Sequence, residues 1–155
     1  MKLKQKIMLD LGCGANCNKG YVGMDIRDLP GVQIVHDIES FPWPLEDDSC
    51  AVIVCSHLIE HIKPWLQFKF MDECWRALED EGHLLISTPY GGSPRWHQDP
   101  THCTSWIEAT PQYFVEGLPL YDVYKPQPWT IERLFWNKWG DIEVAFQKAK
   151  GANNE

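Results

Sequence analysis

Three groups of residues in this 155-residue chain combine side chains and spacings suited to chemistry. The first is Leu9-Asp10-Leu11-Gly12-Cys13-Gly14, a short apolar run closed by two glycines one residue apart. Glycines at a strand end let the backbone turn sharply and approach a ligand with no Cβ in the way. A second apolar run, Tyr21 to Met24, ends in Asp25, whose carboxylate is placed to accept hydrogen bonds from both hydroxyls of a ribose. The second group is Cys55-Ser56-His57-Leu58-Ile59-Glu60-His61, and the third is His97-Gln98-Asp99-Pro100-Thr101-His102-Cys103. Imidazole titrates near neutral pH, which makes His57 and His102 candidate bases for an acceptor that must lose a proton.

Metals and redox cofactors fit these groups less well. His57 to His61 has the H-x-x-E-H spacing of inverted zinc sites, which needs a helix to bring both imidazoles to one face. Here the motif leaves an apolar run at 51–55 and meets Pro64 three residues later, so one turn at most is available. The third group lacks a further Cys or His pair at ligand spacing, so no metal is expected at either place. The six cysteines form no C-x-x-C pair and sit partly inside apolar runs, so they read as reduced thiols. A dinucleotide fingerprint requires a third glycine where this chain has Cys17, which argues against NAD.

The elements that must position these residues alternate in type. Short apolar runs bounded by Gly, Pro or acids predict strands at 7–11, 21–25, 32–36, 51–55 and 83–87. Residues 64–79 predict a helix: Pro64 suits its first turn, Leu66, Phe70, Cys74 and Leu78 repeat at i, i+4, and Lys69, Asp72, Glu73 and Arg76 take the other face. That helix is a crossover between parallel strands, right-handed by rule. The nine residues from Gly12 to Gly20 are too few for the usual helical crossover, so a turn or loop is expected there and one sheet face should be thinly covered. Residues 39–49 read as a loop, 90–106 as an aperiodic lid, 110–116 as a short helix with Pro111 at its first position, and 151–155 as a frayed tail. Alternation at 130–136 and 141–146 predicts two strands with a turn at 137–140. The fold class is α/β, a mostly parallel sheet in three layers with a C-terminal antiparallel hairpin.

Length and charge narrow the function. The chain is long enough for one domain, read at 1–150, and leaves no room for a separate substrate domain. A formal charge of −8 without a basic run argues against sequence-independent nucleic-acid binding. The basic N-terminus leads into too short an apolar stretch for a signal peptide, and no run approaches a membrane span, so a cytoplasmic location and no membrane partner are expected. Eight tryptophans, five of them at 96, 106, 129, 136 and 139, suit a substrate pocket or a subunit contact, which leaves a homo-oligomer open.

In order, Leu9 to Gly14, Val22 to Asp25, His36-Asp37, Cys55 to His61 and Leu78 to Gly82 before Leu84 to Pro89 resemble the landmarks of class I S-adenosylmethionine-dependent methyltransferases. The resemblance spans residues 6–90 and implies a Rossmann-like fold, S-adenosylmethionine as cofactor and methyl transfer to an acceptor, here expected to be a small molecule. It implies that Gly12 and Gly14 form the close-approach loop, that Asp10 lies near the methionine amino group, and that Asp25 takes the ribose. Asp37 with Ile38 would hold the adenine edge, and Ser56 and His57 would leave the fourth strand beside the donor. Two positions depart from the family: Ala51 stands where an Asp is usual, and the first helix is missing. Both departures suit an alternative reading, a nucleoside-binding or subunit-binding domain that has lost activity.

Overall fold

The computed structural model describes residues 6–149, so the expected tail at 151–155 lies outside the described residues. Seven strands form one sheet in the order β3-β2-β1-β4-β5-β7-β6. They are β1 Ile7–Leu11, β2 Val22–Asp25, β3 Val32–Val35, β4 Cys50–Ser56, β5 Leu78–Pro89, β6 Trp129–Trp136 and β7 Asp141–Lys148. β1 to β5 run parallel, and β7 lies antiparallel between β5 and β6. The predicted α/β class, mostly parallel sheet and closing hairpin are all present.

A 3-10 turn at Pro64–Leu66 leads into helix α1, Gln67–Ala77, which fills the crossover from β4 to β5. Its inward residues Phe70, Met71, Cys74 and Ala77 are fully buried and pack in one core with Leu9, Leu11, Ile53, Cys55, Leu84 and Ile86. Glu73, read as solvent-facing, is instead buried. Its Oε1 accepts the Trp43 backbone N–H at 2.7 Å and a 2.6 Å bond from Arg76, and this pairing is what permits burial of the charge. β5 starts at Leu78 rather than at residue 83, because Leu78 pairs with Cys50 before the chain bulges and resumes its register at His83 opposite Val52.

Alternation along the strands shows which face is packed. Leu9, Ile53 and Leu84 share one face and are fully buried, whereas Met8 and Leu85 are each 38% exposed. On the exposed side Met8 pairs with Val52, and Val54 with Leu85. Of the three expected layers, the one over this face holds no helix longer than one turn among the described residues. The short connection from β1 to β2 is the main reason. No helix forms there; Asp10 Oδ2 instead accepts the Asn18 backbone N–H at 2.8 Å and its side-chain amide at 2.9 Å, drawing the loop back across the strand end.

The same loop corrects the reading of the cysteines. Gly14, at φ +59°, curls the chain so that Cys13 and Cys17 stand 4.7 Å apart at Cα and form a disulfide. Cys50, Cys55 and Cys74 are buried free thiols, and Cys103 is an exposed one. The loop at 36–49 carries no regular structure, yet it is fixed. Trp43 is 2% exposed, stacks edge-on against Phe70 at 5.6 Å and donates its indole N–H to the Ile38 carbonyl at 3.0 Å.

Candidate functional site

The carboxyl ends of β1, β2, β3 and β4 surround a cavity of about 330 Å³, within the range of small-molecule sites. Gly12, Asp25, Arg27, Asp37 and Ile38 form one wall, and His57, Leu58 and His61 the other. Gly12 has φ +62°, and a Cβ there would meet the Leu58 side chain at 2.7 Å, so both the turn and the close approach require glycine. Trp43, by holding the Ile38 carbonyl, fixes the stretch that brings Asp37 and Ile38 to the cavity.

Asp25 is 3% exposed at the end of β2. Its Oδ2 accepts the Gly14 backbone N–H at 2.9 Å, and its Oδ1 accepts both the Arg27 backbone N–H at 2.9 Å and Arg27 Nε at 3.0 Å. Burial acts to raise the pKa of this carboxyl, but the hydrogen bonds from Arg27 and Gly14 prevail and hold it below its ordinary value. The guanidinium therefore covers both oxygens of the carboxylate. Its side chain is 63% exposed and able to swing away.

Behind the opposite wall lies Glu60, which the sequence offers only as part of the H-x-x-E-H spacing and not as a site residue in its own right. A 3-10 turn at Ile59–His61 buries it completely. Its Oε2 accepts the Thr88 hydroxyl at 2.9 Å, while Oε1 has no hydrogen-bond partner. His57 Nδ1 approaches Oε1 at 3.5 Å as a charge contact, and His102 Nε2 stands 3.9 Å from it. Contact with Glu60 raises the His57 pKa, partial burial opposes the rise, and Asp141, 3.7 Å from the other ring nitrogen, adds to it. Burial acts to raise the Glu60 pKa in turn, but His57 and Thr88 outweigh it and keep the carboxyl below its ordinary value.

The segment at 90–106 is pinned to this turn. The backbone N–H groups of Cys103 and Thr104 donate to the Glu60 carbonyl at 2.9 and 3.1 Å, and the Thr104 hydroxyl donates to the Ile62 carbonyl at 2.8 Å. His102 is thereby brought edge-on to His61, with ring centroids 4.7 Å apart. Within the segment, helix α2 at Pro94–His97 is capped by the Ser93 hydroxyl. Trp106, read as an apolar wall for an acceptor, is fully buried and donates to Gln67 Oε1 at 3.2 Å, so it belongs mainly to the core. Trp129 is also buried, whereas Trp136 and Trp139 are exposed.

The sequence candidates thus divide. Gly12, Asp25, Asp37, Ile38 and His57 meet around one cavity. Asp10 turns to Asn18, Gly14 braces Asp25 from behind, and Ser56 ends β4 next to His57. His102 sits behind the wall, with a side chain only 6% exposed.

A family model for a methyltransferase domain matches residues 2–116 of the chain. The chain belongs to the methyltransferase-domain family. It is 32% identical over 99 residues to a probable S-adenosylmethionine-dependent methyltransferase of Mycolicibacterium smegmatis, a match covering 53% of this chain and 37% of the relative. A probable S-adenosylmethionine-dependent methyltransferase of Mycobacterium tuberculosis is 30% identical over 98 residues, covering 53% and 35%. The chain therefore spans little more than a third of these relatives' length. Among solved structures, an Archaeoglobus fulgidus S-adenosylmethionine-dependent methyltransferase superposes with TM-score 0.68 at 16% identity, over 92% of this chain and 86% of that one. A Burkholderia thailandensis 1,6-didemethyltoxoflavin-N1-methyltransferase, solved with its acceptor and S-adenosylhomocysteine, gives TM-score 0.67 at 13% identity, covering 92% and 71%. At such identities the likeness is one of fold. The family's methyl donor is S-adenosylmethionine, and the cavity suits it: a glycine turn without side chains, an acid on β2 and a second acid with an apolar neighbour after β3.

Proposed function

We propose that this methyltransferase-family chain transfers a methyl group from S-adenosylmethionine to a small-molecule acceptor. The observation that carries the reading is the single cavity shared by Gly12, Asp25, Asp37, Ile38 and His57 at the carboxyl edge of the sheet, where open α/β folds bind ligands. Gly12 would lie against the donor, Asp25 would hold the ribose once Arg27 swings out, and Asp37 with Ile38 would border the adenine. When bound, the donor supplies a methyl group on a sulfonium centre.

The chain's own contribution is orientation and proton handling. His57 is 42% exposed on the cavity wall, the better placed of the two histidines to take a proton from an acceptor hydroxyl or ammonium. His102 is tied down by a 2.7 Å bond from Nδ1 to the Trp96 carbonyl, which suits it to holding the lid in place rather than meeting an acceptor. The lid at 90–106 leaves β5 on this same edge and would exclude water while aligning the acceptor. Two observations favour the second reading, a domain that binds the donor without turnover: Arg27 already saturates Asp25, and the first helix is absent.

The test is turnover of methyl-labelled S-adenosylmethionine against a panel of small oxygen and nitrogen acceptors. Label transfer to at least one acceptor, abolished by Gly12→Val, supports the enzyme. Tight binding of S-adenosylhomocysteine without transfer to any acceptor supports the binding domain.

A further inference from the structure

We infer that Glu60, His61 and His102 form a binding site for a divalent transition-metal ion of the zinc class. One potential ligand atom from each of the three residues lies within 4.8 Å of the other two. Ligands held tetrahedrally at about 2.0–2.2 Å stand roughly 3.3 Å apart, so modest closure around an ion completes the set.

The hydrogen bonds behind each ligand point the same way. A carbonyl can only accept, so the 2.7 Å contact with the Trp96 carbonyl puts a proton on His102 Nδ1, and the neutral form of the ring then has its lone pair on Nε2. The Thr101 hydroxyl gives its proton to Asp99 Oδ1 at 2.7 Å, so His61 Nδ1, 3.0 Å from that hydroxyl, is the donor in their contact. His61 therefore also carries its lone pair on Nε2. Glu60 uses Oε2 for Thr88 and keeps Oε1 buried without a hydrogen bond, His57 Nδ1 standing 3.5 Å from it. Each residue thus has one atom fixed by an outer partner and one atom unspent, the arrangement by which neighbouring groups orient metal ligands. A buried carboxylate oxygen that makes no hydrogen bond and has imidazole nitrogens only at 3.5 and 3.9 Å calls for an explanation, and a cation supplies one.

Two imidazoles and one carboxylate are the donor types of zinc and similar ions rather than of calcium or magnesium. Three protein ligands leave a fourth position open, and one of the three, His61, also borders the cavity. The site draws on both histidine motifs at once: His61 comes from the turn after β4 and His102 from the lid, joined by the bonds of Cys103 and Thr104 to the Glu60 carbonyl.

The test uses the full chain stripped with chelator, then titrated with Co²⁺ followed by visible absorption and with Zn²⁺ followed by calorimetry. The expected result is one equivalent bound, with the intense visible bands of low-coordinate cobalt. His61→Ala and His102→Ala should each weaken binding by at least about tenfold. His83→Ala, altering a histidine of β5 that pairs with Glu132 of β6 at 2.9 Å and belongs to neither motif, should bind as wild type. Glu60→Gln is informative only if it folds, and the two histidine variants stand without it. Absence of stoichiometric binding to wild type overturns the site. So does wild-type affinity in His61→Ala and His102→Ala, or loss of binding in Cys103→Ser alone, which would place the ion on the exposed thiol instead.

Discussion

Asp25 and Arg27 make opposite predictions for donor binding, and the pair tests the cavity directly. If the ribose hydroxyls replace the guanidinium on Asp25, the backbone bonds from Gly14 and Arg27, both 2.9 Å, remain and only the Arg27 side-chain bonds are exchanged. Asp25→Ala removes an ionised acceptor, and lost hydrogen bonds to a charged group cost about 1.5–3 kcal/mol, roughly ten- to a hundredfold in affinity. Arg27→Ala removes the competitor. The Arg27 side of the pair is 63% exposed and solvent competes for it, so the gain should reach about fivefold at most. Calorimetry with S-adenosylhomocysteine reads both changes. A melting curve for Asp25→Ala must accompany them, because that variant leaves the Gly14 N–H without its side-chain partner. Wild-type affinity in a folded Asp25→Ala would refute the ribose assignment. A tenfold loss in Arg27→Ala would show that the guanidinium itself grips the ligand and that Asp25 serves to aim it.

Other perturbations follow from the same geometry. With an acceptor that must lose a proton, His57→Ala should lower kcat by about 10²- to 10⁴-fold while donor affinity changes little; a loss below tenfold in single-turnover assays would remove His57 as the base. Asp25 has a folded pKa below its unfolded one, so it stabilises the fold above about pH 3.9 and loses that contribution as pH falls through the folded value. Urea midpoints measured against pH should therefore fall in acid, and Asp25→Asn should flatten that limb. An equally steep acid limb in the variant would assign it to other carboxyls. Trp43→Ala should cost about 3–5 kcal/mol of stability and weaken donor binding as well, because Trp43 anchors Ile38 from the core. A stability loss with unchanged affinity would detach the 36–49 loop from the site.

Much of the fold was legible because period and length carry it. The alternation in β6 and β7, the i, i+4 apolar stripe of α1 and the short β1 to β2 connection each depend on neighbours within a dozen residues. Gly12 and Asp25 are legible from their positions at strand ends, Asp37 and the placement of His57 only through the family resemblance, and a parallel sheet gathers all four on one edge. What escaped depends on long-range pairing. Glu73 looked solvent-facing on the helix period alone, because its partner Trp43 lies thirty residues away. Glu60 and His61 were weighed in one motif and His102 in another, each short of ligands. The Glu60 carbonyl that joins them is a tertiary contact with no local signature. The Cys13 to Cys17 bond is local, closing within a four-residue step through the left-handed Gly14, a spacing outside the C-x-x-C pattern.

Parallel strands packed on both faces tolerate few polar residues at any position. β1, β4 and β5 are packed on one face only, so sequence drift in them should follow parity. Met8 and Leu85 can exchange with threonine, glutamine or lysine at little cost and the half-buried Val52 and Val54 with threonine, while Leu9, Ile53, Cys55 and Leu84, one residue away in each strand, cannot. Half of the central sheet is thereby released from the constraint of a core, and a saturation scan would record it as a tolerance pattern of period two, the imprint usually left by antiparallel sheets.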